Sequence, residues 1–351
     1  MTLLKKVGKV REISSLFFLI FLFGLVGLVN SDFLTPTSLF NCFNDSVVFT
    51  MLAVGIAFVI LTGEIDVSIG ATLGLSAAVA STILRDGGSG IFAVLAAVLV
   101  GCLVGLFNGF GIAKLGIPSL IFTLGTNGLV RGLVYVYTGG AWVENLPAGF
   151  TKMANIKLIG ELTTFYAAAL VLVIAAHLIL TKTRRGKYFI TVGDNPAGAT
   201  MVGIPTMQTK IMAYVLCGLF ASVAGVLYSS RIGFITPTAG SGYEMKAIAA
   251  CVLGGVSLSG GLGSLIGASI GAVIMSSISR ILVFLGFSSD YDNTITGILL
   301  IVIVVVDAVA QNRAAVKTRH ARLASRSGPL EEEPGDRRLS LIHISEPTRH
   351  S

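Results

Sequence analysis

Few side chains in this sequence are placed to do chemistry, and nearly all of them interrupt apolar stretches. Glu64 and Asp66 break one stretch, Asn108, Asn127 and Arg131 lie inside later ones, Glu244 and Lys246 open another, and Asp307 closes the last. Ionisable groups in such surroundings are costly and usually face a cavity or a partner, which makes them candidates for a pathway or a gate. Their chemistry is hydrogen bonding and ion pairing. Glu64 and Asp66 suit helix capping or interhelical bonding better than direct contact with a solute. The amides of Asn108 and Asn127 can serve a solute hydroxyl or a neighbouring helix. Arg131 either snorkels to the outer surface or lines the path. Glu244 and Lys246 either pair with each other or form a gate, and Asp307 caps its helix or pairs with a basic neighbour.

Nothing is spaced for making or breaking covalent bonds. The chain has no G-x-x-x-x-G-K-[ST], and the glycine-rich Gly260 to Gly267 lacks the phosphate-binding lysine. It also has no nucleophile elbow and no HExxH, and His177 stands alone in an apolar run. Without CxxC or CxxxxH spacing, the four cysteines suggest neither a metal site nor a disulfide framework. No catalytic residue, no metal ligand and no enzyme activity are expected.

A second informative stretch runs from Gly193 to Pro205. Asp194 or Asn195 can cap a helix whose first turn holds Pro196, Gly203 supplies a left-handed stop, and Pro205 prevents continuation. The result is a sharply bounded helix of about two turns, marginal by itself in water. Its small residues Ala197 and Ala199, with Met201 and Val202 exposed, suit the groove of another protein.

The elements that must position these residues are apolar. Hydrophobic types make up 54% of 351 residues, 42 more are glycine, and only 12% are charged, which is far from a soluble composition. Low hydrophobicity would be needed for disorder and alternating ten-residue strands for an outer-membrane barrel; neither is present. The net charge of +7 is not a nucleic-acid signature, because the positives sit between apolar runs, as orientation signals do. Ten runs are candidate spans: Leu16 to Val29, Val47 to Thr62, Val67 to Leu84, Ile91 to Ala113, Ile117 to Tyr137, Leu162 to Leu180, Ile211 to Tyr228, Met245 to Leu258, Leu262 to Gly286 and Ile295 to Val309. The predicted class is therefore all-α: a polytopic helical membrane protein of about ten transmembrane segments.

With the basic N-terminus inside, parity places Lys114, the cluster Lys182 to Lys187 and the basic segment Arg313 to Arg326 inside as well. The loops holding Trp142 and Asp290 then fall outside. Met245 to Leu258 is the shortest run and follows the turn-rich Pro237 to Gly242, which reads equally as a re-entrant half-helix. Glycines at four-residue spacing, Gly101, Gly105 and Gly109, and again Gly263, Gly267 and Gly271, predict close helix packing.

The Gly193 to Pro205 stretch resembles the coupling-helix loop of ABC importer permeases. Leu61 to Gly70 (LTGEIDVSIG), Ile117 to Gly125 (IPSLIFTLG), Glu244 to Gly255 (EMKAIAACVLGG) and Ser259 to Gly263 (SGGLG) resemble signatures of the ribose-type, carbohydrate-uptake permeases. Within that family Gly139 to Pro147 (GGAWVENLP), Ile232 to Ile235 (IGFI) and the EMKAIAACVLGG run are most similar to the autoinducer-2 branch. The resemblance covers residues 11 to 310. It implies the membrane subunit of a bacterial inner-membrane importer, with both termini cytoplasmic, passing autoinducer-2 or a pentose or deoxyhexose inward. A branched-chain amino-acid permease or a secondary transporter is the alternative.

The same resemblance implies the partners: an ABC ATPase that binds ATP and Mg, a periplasmic solute-binding protein and a second permease chain, identical or related. No cofactor in this chain and no nucleic acid are implied. Residues 1–15 are then a cytoplasmic N-terminus and 16–310 the permease domain in its bilayer. Within that domain 181–210 is the coupling loop, where Gly193, Asp194, Asn195, Ala197, Ala199 and Gly203 meet the ATPase. Residues 311–351 read as a disordered tail. Its end, Leu339 to His350 (LSLIHISEPTRH), resembles a translated sequencing adapter, so the native C-terminus is expected to be missing.

Overall fold

The computed structural model describes residues 11–306 and 308–309. The basic N-terminus, Asp307 and the tail from 310 onward, with the adapter-like end, lie outside the described residues.

Helices account for about three quarters of the described chain. In order they are α1 (Arg11–Val29), α2 (Pro36–Asp45), α3 (Val47–Leu61), α4 (Ile69–Arg85), α5 (Gly90–Ala113), α6 (Ser119–Thr138) and α7 (Ala148–Met153). After a two-stranded antiparallel hairpin, β1 (Lys157–Ile159) and β2 (Leu162–Thr163), come α8 (Thr164–Lys182), α9 (Arg184–Asp194), α10 (Pro196–Met201), α11 (Thr206–Ile232), α12 (Tyr243–Leu253) and α13 (Leu265–Phe284). The last is α14 (Asp292–Val306). Local chemistry sets many of the ends. Ser89, Thr163 and Thr183 each cap the helix that follows by accepting a backbone N–H. Gly139 and Gly233 close α6 and α11 in the left-handed conformation.

Every expected apolar run falls on a helix, but they are not ten equal spans. Among the described residues five helices are long and apolar enough to cross a membrane: α5, α6, α8, α11 and α13. A sixth is counted if α2 and α3, bent by 43°, act as one span. The apolar helices Ile13–Val29, α4 and α14 are shorter. The expected span Met245 to Leu258 is only the eleven residues of α12. At about 16 Å this covers roughly half of a 30 Å hydrocarbon layer, as a half-helix would.

The core is built on α3, in which every residue but Phe49 is buried. A helix apolar on all sides belongs in the middle of a bundle, and α3 is packed by α11, α13, α12 and α8. The first glycine stripe does what its spacing predicts: Gly101, Gly105 and Gly109 lie against the backbone of α11 at Gly218, Tyr214 and Ile211. The second is shorter than expected. Gly267 and Gly271 pack on α12 at Gly254 and Ala250, whereas Gly263 sits in the loop before α13, which Ser264 caps.

Two breaks interrupt the apolar helices, Thr62 to Ser68 between α3 and α4, and Gly254 to Ser264 between α12 and α13. They meet at one end of the bundle, where the Gly261 N–H donates to the Leu61 carbonyl at 3.0 Å. At the opposite end Val143 and Ile235 form a two-hydrogen-bond bridge, and Asp45 holds both Arg231 and Arg280.

Candidate functional site

The helix α10 has the predicted boundaries. Asn195, not Asp194, is the cap, its side-chain oxygen accepting from Gly198 N–H at 2.9 Å, with Pro196 in the first turn. Gly203 has φ of 79°. Met201 and Val202 project into the surroundings with 88% and 73% of their surface exposed, and Ala197 is exposed too. Ala199 is only 1% exposed and faces its own chain. It therefore seats the helix, and Ala197, Met201 and Val202 are the side chains left exposed.

Behind α10 lies a junction of bare backbone. A β-carbon on Gly193, near the end of α9, would run into the Leu61 carbonyl oxygen and the Gly261 nitrogen. One on Gly260 would lie 2.7 Å from the Gly63 nitrogen, and one on Gly261 2.7 Å from the Asp194 α-carbon. The base of α10 is thus in direct contact with both helix breaks. Gly193→Ala should lower the melting temperature of the purified permease by several degrees, because overpacking of this kind costs about 1–3 kcal/mol. An unchanged melting curve would show that the contact has room to spare.

The first break is satisfied residue by residue, as irregular backbone away from water must be. Asp66 accepts from Ser68 N–H at 2.8 Å and from the Ser68 hydroxyl at 2.7 Å, and Asn108 donates to the Ser68 Oγ at 2.8 Å. The Val67 N–H donates to the Thr123 hydroxyl at 3.2 Å, and the Tyr214 hydroxyl to the Ile65 carbonyl at 3.2 Å. Glu64 pairs with Lys210 of α11 at 2.5 Å. The acidic residues are therefore structural links, in keeping with capping and interhelical bonding.

Deeper in the bundle, Arg131 sits just past the midpoint of α6. It does not snorkel outward. Its guanidinium donates to the Ala239 and Gly240 carbonyls at 3.0 and 2.9 Å and lies 3.9 Å from Glu244. The irregular segment before α12 is thereby tied to α6. Glu244 and Lys246 do not pair with each other; Lys246 reaches Asp292 of α14, which also accepts from Ser279 of α13 at 2.6 Å. Asn108 Oδ1, Asn127 Oδ1 and Asp292 Oδ1 are buried and accept no hydrogen bond from the described residues, and Glu244 Oε2 has only the Arg131 guanidinium at 3.9 Å. Among the described residues no cluster could hold a metal, and the four cysteines are free.

Lys210, Ser279 and Asp292 were missed as parts of the site. For Lys210 and Asp292 a signal was present, because each charge inside an apolar run needs an opposite charge; the neutral Ser279 gave none.

The sequence model described as "Branched-chain amino acid transport system / permease component" matches residues 38–304. The chain is similar to the autoinducer 2 import system permease protein LsrC of Salmonella typhimurium (strain LT2), with 38% identity covering 94% of this chain and 96% of that protein. The protein of the same name from Enterobacter sp. (strain 638) is 38% identical over 91% of this chain and 92% of its own. That from Escherichia coli (strain K12 / DH10B) is 39% identical over 87% and 89%. No solved structure matches the chain. The chain belongs to this permease family: it is the permease component of an ABC importer, a multi-pass protein of the inner membrane that works with an ATPase and a solute-binding protein.

Proposed function

We propose that this permease carries autoinducer 2, or failing that a pentose or deoxyhexose, from the periplasm to the cytoplasm. The observation that carries the reading is identity of 38% along 94% of the chain to permeases named for autoinducer 2 import. The buried amide oxygens of Asn108 and Asn127, which accept no hydrogen bond from the described residues, agree with a hydroxyl-rich solute. Both termini and the coupling loop, residues 181–210, are cytoplasmic, and residues 16–310 form the permease domain beside a second, identical or related, permease chain.

In this reading α10 docks on the ATPase. Closure of the ATPase upon ATP moves α10 and, through Gly193 and Asp194, the two breaks at Gly63 and Gly260. Differential affinity of the partners for the two conformations supplies the coupling. ATP and Mg belong to the ATPase, and this chain contributes no cofactor and no catalytic group.

Reconstitution tests the proposal. Labelled autoinducer 2 should accumulate in proteoliposomes only when ATPase, binding protein and any second permease chain are present, and without dependence on proton or sodium gradients. Gradient-driven accumulation by this chain alone would make it a secondary transporter; ATP-driven uptake of a pentose but not autoinducer 2 would reassign the solute.

A further inference from the structure

At the end of the bundle opposite α10, two recesses adjoin and differ sharply in chemistry. One is an open apolar groove of about 510 Å³ between α5, α7 and α11, lined by Val94, Leu95, Phe150, Met153, Val226 and Leu227. The other is a polar pocket of about 100 Å³ bordered by Asn44, Asp45, Asn155 and Arg231. Phe165 forms a wall of both. Their remaining walls are continuous: Leu227 and Arg231 are one turn apart on α11, and Met153 and Ala154 are successive residues.

Depth and charge narrow the occupant. The groove takes in the first two turns of α5, so in a membrane-spanning bundle it opens into the outer part of one leaflet. The polar pocket lies one helical turn beyond it, toward the end of α11. Arg231 in that pocket shares the single carboxylate of Asp45 with Arg280, which lies behind it, and Lys152 is exposed nearby at the end of α7. A guanidinium only partly neutralised, set above a purely apolar trough, matches a phosphate joined to a hydrocarbon chain.

We propose that this two-part recess binds one glycerophospholipid, an acyl chain lying in the groove and its phosphate seated toward Arg231. The site rests on the chain crossing a membrane and not on the identity of the solute. Bound there, the lipid braces α7 and the start of α8 against α5 and α11, tying the periplasmic end of the bundle to the leaflet.

The test uses the intact permease complex, incubated with vesicles of phosphatidylethanolamine and phosphatidylglycerol and examined by native mass spectrometry. Leu95 and Leu99 are 61% and 60% exposed, so tryptophan is tolerated by the fold at either, but only Leu95 lines the groove. Leu95→Trp should retain about tenfold less phospholipid than the unaltered complex, since filling the trough removes an interaction of about 1.4 kcal/mol or more. Leu99→Trp should retain as much as the unaltered complex, and diacylglycerol with the same chains should be held about tenfold less well than the phospholipid. Equal retention by Leu95→Trp, or equal retention of diacylglycerol, would overturn the proposal. A photocross-linker at position 95 that captures another permease chain in place of lipid would identify the face as a protein interface and overturn it too.

Discussion

A permease carrying Val202→Asp is expected to insert and fold normally yet bind its ATPase about 100-fold more weakly, with ATP-driven uptake lost, because a carboxylate must be desolvated in an apolar contact. Val202 is 73% exposed in this chain, so nothing in the permease itself is disturbed. Met201→Asp should behave alike. Ala199→Asp should instead dislodge α10 from its own chain, since Ala199 is buried, and lower thermal stability as well. A cysteine at Val202 provides the orientation control: a membrane-impermeant maleimide should label it in inside-out vesicles, not in right-side-out ones, and less when the ATPase is bound. Wild-type ATPase affinity in Val202→Asp, or labelling from the periplasmic side, would remove α10 from the coupling interface.

The other large effect is expected at Arg131. Arg131→Leu removes the guanidinium donor from the Ala239 and Gly240 carbonyls, leaving Gly240 only the Tyr243 N–H at 3.3 Å, and strips Glu244 of its nearest positive charge. Removing one partner of a buried pair costs about 3–5 kcal/mol, against about 0–1 kcal/mol for an exposed pair. Arg131→Lys keeps the charge but cannot fork to two carbonyls and should fall between. Adding Glu244→Gln to Arg131→Leu should recover part of the loss by removing the stranded carboxylate. Melting curves of the purified permease decide it. Arg131→Leu melting with the unaltered protein would mean that the segment before α12 is held without α6.

What the sequence discloses of this fold is what is settled within a few residues. Asn195, Pro196 and Gly203 bound α10 because caps and stops act locally, and the apolar runs mark helices for the same reason. The burial of Ala199 was not legible, because a helix of six residues gives no periodicity by which to tell the face toward its own chain from the face toward a partner. The partners of Arg131, Lys246 and Glu64 lie far along the chain, on segments brought near only by tertiary packing. The count of about ten spans is not confirmed, and one reason is related: apolar composition continues through Gly254 and Gly255, while the helix ends at Leu253. Family signatures in the same stretches, EMKAIAACVLGG and SGGLG, nonetheless marked the second break and its neighbours.

The junction of Gly193, Gly260 and Gly261 bears on how such importers diverge after gene duplication. Backbone meets backbone there, so almost any substitution is excluded and selection can only preserve it. Met201 and Val202, one helix away, touch little of their own chain and are free to change. If α10 docks on the ATPase as proposed, paralogous importers sharing one cell would become insulated from each other's ATPases by altering two side chains, while the glycine junction behind them stays common to all.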